Sequence, residues 1–263
     1  MILEPYHWAL ACIGAFLIGL GKGGLPGMGN LTIAIFAVVF PAKASVGILL
    51  PVLICADVVA VLVYRKHAQW KYVGKLFPWT AVGVVFGFFL LGVIQDRAVQ
   101  ILIGCLLLVM TGVHFFRKWV SARWEGAGED PMPHTWWFVG GTGLIGGFAT
   151  MVANAAGPVA AMYYMAIGLP KYAFIGTGAW FWLLINVFKV PFHLGLDNID
   201  AASLRISLTL GVVAMVGALI CPLIVRHINQ RLFEFLVWFF IIVAGIGLLV
   251  KPDWPTLLFA HGG

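Results

Sequence analysis

Ten apolar stretches run almost end to end along this 263-residue chain, at about 5–21, 30–41, 44–64, 76–94, 98–116, 135–153, 158–169, 172–194, 203–225 and 232–250. Most are long enough to cross a hydrocarbon core about 30 Å thick. Composition agrees, with 62% hydrophobic and 10% charged residues, where a soluble domain averages about 25% charged. The expected fold class is an all-α polytopic membrane protein, since a β-barrel would show short alternating segments instead. The longest polar stretch, about Arg117–His134, is too short for a soluble domain. The N-terminus MILEPYHWALACIGAF lacks a basic leader and carries Glu4, so it is expected to stay in the mature chain rather than act as a signal peptide.

Several function classes are disfavoured at this point. Cys12, Cys55, Cys105 and Cys221 sit singly in four different apolar stretches, with no C-x-x-C pair, so no metal or cofactor is expected. There is no H-E-x-x-H, no G-x-S-x-G and no P-loop, which argues against an intramembrane enzyme and a nucleotide-driven pump. The basic excess, 16 Lys and Arg against 10 Asp and Glu, reports topology rather than nucleic-acid binding.

The loop YRKHAQWKYVGK at Tyr64–Lys75 has four basic residues and no acid, and is expected on the cytoplasmic face. The turn Gln95–Arg97 then falls outside. The segment with Arg117, Lys118 and Arg123 returns inside, as does Arg226–Arg231, whereas the acidic loop Leu194–Asp200 falls outside. Both termini come out on the outer face, in a multi-pass protein of the cell (inner) membrane.

The two halves resemble each other. FPAKASVG at Phe40–Gly47 matches LPKYAFIG at Leu169–Gly176 at an offset of 129, which also aligns Gly29 with Pro158 and Asp57 with Asn186. The expected organisation is a first transmembrane repeat over 1–120, a cytoplasmic linker over 121–134 and a second repeat over 135–263. Five apolar segments per half is an odd number, so the repeats must be inverted, as in many secondary transporters. The second segment of each half is too short to span, about 18 Å for twelve residues. Each follows a break, GLGKGGLPGMGN at Gly19–Asn30 and TMVANAAGP at Thr150–Pro158. Each half is therefore expected to hold a broken or re-entrant helical hairpin, and irregular backbone at membrane depth belongs in protein or around a wet cavity.

The Gly-rich break before a short helix, GKGGLPGMGN and ANAAGPVAAMYY, with the downstream FPAKASVG and LPKYAFIGTG and the two-fold repeat, resembles the sulfite exporter TauE/SafE family of membrane transporters. The resemblance covers almost the whole chain. It implies export of sulfite or small organosulfonates by a secondary transporter.

Elementary electrostatics also favours an anion. A helix starting inside the membrane presents unpaired N–H groups and the positive end of its dipole, and small residues let a ligand approach that backbone. The candidate substrate-binding residues are Lys22, Gly23, Gly24, Gly29 and Asn30 in the first break, and Asn154, Ala155, Ala156 and Gly157 in the second. Lys22, costly in a bilayer, must face a cavity, a partner or the interface. Trp182, Asn186, Lys189 and His193 share one helical face. Asp57, Asn186 and Lys189 are the candidate coupling or gating residues, with Asp57 paired to Lys22 or to Lys189. Such a pair is either structural, or a proton relay or gate with which the anion competes. His114 and His193, near segment ends, read as interfacial residues. Partners are a small anionic substrate and the lipid bilayer, with no nucleic acid. The sequence leaves open proton coupling, an anion channel, a carrier for small carboxylates and the oligomeric state.

Overall fold

The computed structural model describes residues 4–25, 28–123, 136–224, 239, 242–243 and 245–250. Among them there are helices and no strands. In chain order they are α1 (Pro5–Lys22), α2 (Met28–Val39), α3 (Ala42–Tyr64), a 3-10 turn (Arg65–His67), α4 (Trp70–Val93), α5 (Asp96–Arg123), α6 (Trp136–Ala153), α7 (Gly157–Ala166), α8 (Lys171–Gly195) and α9 (Ala201–Ile224). Five helical stretches are long and apolar enough to cross a membrane: Ala42–His67, Trp70–Val93, Trp136–Ala153, Tyr172–Gly195 and Ala201–Cys221. This is a polytopic membrane protein. Most of the 121–134 linker, the basic Arg226–Arg231 loop and most of the tenth apolar stretch lie outside the described residues.

Proline sets several helix starts. Pro5 opens α1 at a position where a missing N–H is harmless. Pro41 and Pro170 immediately precede α3 and α8 with extended ψ. Their carbonyls accept the N–H groups of Ser45 at 2.7 Å and Phe174 at 2.8 Å, two residues that are themselves 129 apart in sequence. α5 starts with Asp96, whose carboxylate accepts from the N–H groups of Ala42 (3.1 Å) and Lys43 (2.8 Å). It thus caps the first turn of α3, where negative charge is favoured. Arg97 beside it donates to the carbonyls of Leu248 and Leu249 at 2.8 and 2.7 Å.

Two expected boundaries shift. α4 begins at Trp70, six residues before the apolar stretch, because exposed Lys71 and Lys75 make its first turns amphipathic without ending the helix. α5 likewise continues past the apolar 98–116 to Arg123.

Small residues set the helix crossings. A side chain at Gly83 of α4 would meet the carbonyl of Leu144, and one at Gly147 of α6 would meet the carbonyl of Thr80. On the other side, Gly19 of α1 faces the carbonyl of Ala214, and Gly217 of α9 faces the carbonyl of Phe16. Such close backbone approach is how helices associate where lipid and side chain are equally apolar. Among the described residues α4 and α6 form the most extensive helix pair, followed by α1 with α9 and α3 with α9.

At the centre α3 and α8 run antiparallel. Gly47, near the start of α3, packs on the carbonyl of Asn198 just beyond α8, and Gly176, near the start of α8, packs on the carbonyl of Tyr64 at the end of α3.

Candidate site at the two helix breaks

Among the described residues the two fully buried charged side chains, Asp57 and Lys189, lie on α3 and α8. Asp57 of α3 is fully buried. Lys22, the last residue of α1, reaches it with its ammonium 2.6 Å from Oδ1. On the other oxygen, Asn186 Nδ2 of α8 donates to Asp57 Oδ2 at 2.7 Å. Of the two lysines open to Asp57 in the sequence, the fold selects Lys22. Asp57 lies seven residues before the end of α3, about 10 Å along the helix axis. The Lys22 ammonium also lies 5.4 Å from the centre of the Trp182 ring, within cation–π range.

Lys189, one turn beyond Asn186 on α8, is fully buried too. Its ammonium donates to Thr150 O (2.9 Å), Thr150 Oγ1 (3.0 Å) and Asn154 Oδ1 (2.6 Å). Three acceptors match the three protons of an ammonium. Among the described residues no carboxylate lies within ion-pairing distance of it. Lys189 thus places a cation at the C-terminal end of α6, where the helix dipole favours it.

Asn154 is where α6 breaks. It adopts φ 55°, a left-handed conformation that asparagine tolerates better than most residues. Its Nδ2 donates to Val46 O at 3.1 Å while Oδ1 accepts from Lys189, so both ends of the amide are engaged. Ala155 and Ala156 are buried and Gly157, the first residue of α7, is exposed. A side chain at Gly157 would meet nothing within 4 Å. The first N–H groups of α7 have no acceptor within the helix. Beside them lies a cavity of ≈ 10 Å³, lined by Thr80, Thr142, Gly146, Ala156, Val159 and Trp182 among others, with room for about one water. Trp182 is therefore a wall shared between this cavity and Lys22.

The first break is built differently. Gly23 donates to Gly19 O and Leu25 to Leu20 O, closing the end of α1. Gly24 takes φ 121°, a conformation that effectively requires glycine. Gly23 itself is pressed against Cys221 of α9, and Tyr64 donates its hydroxyl to Gly23 O at 3.1 Å. Pro26 and Gly27 lie outside the described residues. Gly29 and Asn30 sit in the first turn of α2, with Asn30 buried and its Nδ2 without a hydrogen-bond partner among the described residues.

The predicted residues therefore fall into two clusters. Lys22, Asp57 and Asn186 form one, and Lys189 and Asn154, joined by Thr150, the other; Lys189 follows Asn186 by three positions on α8. α2 packs mainly on α1, α3 and α5, and α7 on α6 and α8, so each short helix keeps its own surroundings.

Two features were not read from the sequence, the role of Thr150 and the burial of His193. Thr150 appeared there only as the first residue of a break. His193, two residues before the end of α8, is fully buried, with Nδ1 3.5 Å from Asn198 Nδ2 and, among the described residues, no partner for Nε2. The loop after α8 folds back over it, donating from Asn198 N to His193 O. The repeat register contained a signal, since His193 stands 129 residues after Tyr64, the residue that touches the first break. The side chain of His114 lies outside the described residues. Among the described residues no group of three metal-ligating side chains occurs.

A family model described as sulfite exporter TauE/SafE matches residues 11–248. No curated protein and no solved structure matches the chain.

Proposed function

The chain belongs to the sulfite exporter TauE/SafE family, whose model spans residues 11–248, and on that premise we propose that it is a secondary transporter exporting small sulfur oxyanions, sulfite or organosulfonates, across the inner membrane. The observation that carries the anion reading is Lys189: a buried ammonium held by neutral acceptors at a helix break, with no described carboxylate beside it. A buried charge needs compensation, and a transported anion supplies it.

In this reading the anion is held at the second break by the backbone N–H groups of Ala156 and Gly157, because Ala155 N already donates to Ala149 O; at the first break Gly23 and Gly24 shape the turn, their N–H groups being taken by Gly19 O and Gly21 O, and Gly29 and the Nδ2 of Asn30 face the anion. Lys22 and Lys189 supply attraction. Asn154 holds Lys189 through its Oδ1, and its Nδ2, which spends one proton on Val46 O, keeps a second proton for the anion. Asp57, Asn186 and Lys189 form the coupling or gating group.

The transport mechanism proposed is alternating access by two inverted repeats. Three observations support it. Helix lengths recur in order, 18, 12, 23 and 24 residues for α1 to α4 against 18, 10, 25 and 24 for α6 to α9. The crossings are reciprocal, α4 on α6 and α9 on α1. Repeat partners Asp57 and Asn186 hydrogen-bond to each other, as residues on a two-fold axis would. The axis then lies in the membrane plane, because α3 and α8 are antiparallel.

The test is counterflow in proteoliposomes. Preloaded unlabelled sulfite should accelerate uptake of labelled sulfite, with saturation; a flux that neither saturates nor shows counterflow refutes the carrier.

A further inference from the structure

The halves of the central bridge are chemically unequal. At one repeat position stands a carboxylate, Asp57, and at its partner an amide, Asn186, and the two touch. Two lysines lie within electrostatic reach of Asp57 in this bridge, although Lys189 makes its hydrogen bonds elsewhere. Lys22 pairs directly with Asp57 Oδ1, and Lys189 projects from α8 three residues after Asn186, satisfied only by neutral groups. Asn186 Oδ1 is itself buried without a hydrogen-bond partner among the described residues. With Asp57 ionised, the formal charge of this centre is two lysines less one aspartate, a single positive charge.

That count selects the ligand by valence. In a site of low dielectric, unit charges a few ångströms apart interact by kilocalories rather than tenths, so an occupied centre is most favourable when its charges cancel. One monoanion cancels the surplus. A dianion of the same shape leaves an uncompensated negative charge and must also face the carboxylate of Asp57. We infer that Asp57 sets this site for monovalent anions, R–SO3− rather than SO4 2−, by cancelling one of its two lysines. The inference rests on the anion reading given above and adds to it the charge of the substrate.

The role differs from that of a structural ion pair, which would affect stability without sorting ligands by charge. Asp57 acts here as a specificity-determining residue through the charge it subtracts, and Asn186 shows that its position tolerates an amide in the other half.

Methanesulfonate and sulfate make the comparison, since both present tetrahedral sulfur–oxygen groups and neither titrates near neutral pH. Calorimetric titration of the purified full chain at constant ionic strength should show wild type binding methanesulfonate at least about tenfold more tightly than sulfate, a difference of about 1.4 kcal/mol. Asp57→Asn, which raises the centre to two positive charges, should move the ratio of the two affinities toward sulfate by at least about tenfold. The double variant Lys22→Gln, Asp57→Asn restores one surplus charge and should restore the wild-type preference. Preference of wild type for sulfate overturns the inference without any variant being needed. So does a ratio in Asp57→Asn within about twofold of wild type, while leaving the anion-transport reading intact. Failure of wild type and both variants to bind either anion overturns that reading and the inference with it.

Discussion

Replacing Lys22 with glutamine separates two views of the first break, a loop that merely carries a lysine and a loop pinned to the core by charge. Lys22 keeps 15% of its side chain accessible, whereas Asp57 keeps none. Removing the lysine leaves the aspartate buried with one hydrogen bond from Asn186. Orphaning one member of a buried pair costs about 3–5 kcal/mol. Asp57→Asn should cost less, about 1–2 kcal/mol, because it removes the buried charge itself and leaves Lys22 near the accessible side. With both changed no orphan charge remains at the bridge, and we expect the double variant to lie within about 1–2 kcal/mol of wild type, a coupling of about 2–3 kcal/mol or more. Reversible unfolding in mixed micelles, read by tryptophan fluorescence, measures all four corners of the cycle. Additive losses, with coupling below about 0.5 kcal/mol, would refute the pinned loop and return Lys22 to a solvated role.

The remaining predictions concern backbone approach and helix ends. Gly147→Val should destabilise the α4–α6 crossing by more than about 2 kcal/mol, since its side chain would strike the Thr80 carbonyl; Gly74→Ala, where nothing lies within 4 Å, should stabilise by about 0.4–1 kcal/mol. The same unfolding assay ranks them. Gly157→Val should fold normally, because its side chain enters open space, yet screen the first turn of α7 and weaken sulfite binding at least about tenfold, the loss of one charged hydrogen bond; normal binding would place the anion elsewhere. Asp200 precedes α9 and exchanges hydrogen bonds with Ser203, the backbone N–H of Ser203 first among them at 2.6 Å, which hold its carboxyl below the usual carboxylate range. A depressed folded value means this contribution is present above the unfolded pKa and fades as pH falls through the folded one. Ser203→Ala should raise the Asp200 pKa, read by NMR titration of the carboxyl carbon.

Helix ends were legible wherever covalent chemistry dictated them. Pro41 and Pro170 mark the starts of α3 and α8, and the glycines after Lys22 mark the end of α1. The stripe on α8 was legible as well, because Asn186, Lys189 and His193 recur at helical spacing and are all buried together. What composition hid was the amphipathic margin of a helix: WKYVGK is too polar for a hydrophobic span, yet an exposed lysine does not stop a helix, so α4 begins at Trp70. Partner choice was hidden for another reason. Lys22 and Lys189 were equal candidates for Asp57 by charge, and only the packing of α1 against α3 and the reach of the Lys189 side chain to the end of α6 assign them. Thr150 had no signal at all, because its carbonyl and hydroxyl matter only once α6 ends beside Lys189. The burial of His193 depends on the return of the loop at Asn198, a contact no periodicity reports.

The central claim is that a small anion compensates the buried ammonium of Lys189. Titrating sulfite into purified wild type and Lys189→Gln, each first shown to be folded by its unfolding transition, tests it most directly. The account predicts saturable binding to wild type and a loss of at least about tenfold in the variant, the effect of about 1.4 kcal/mol or more. Equal affinity in the two proteins would contradict it.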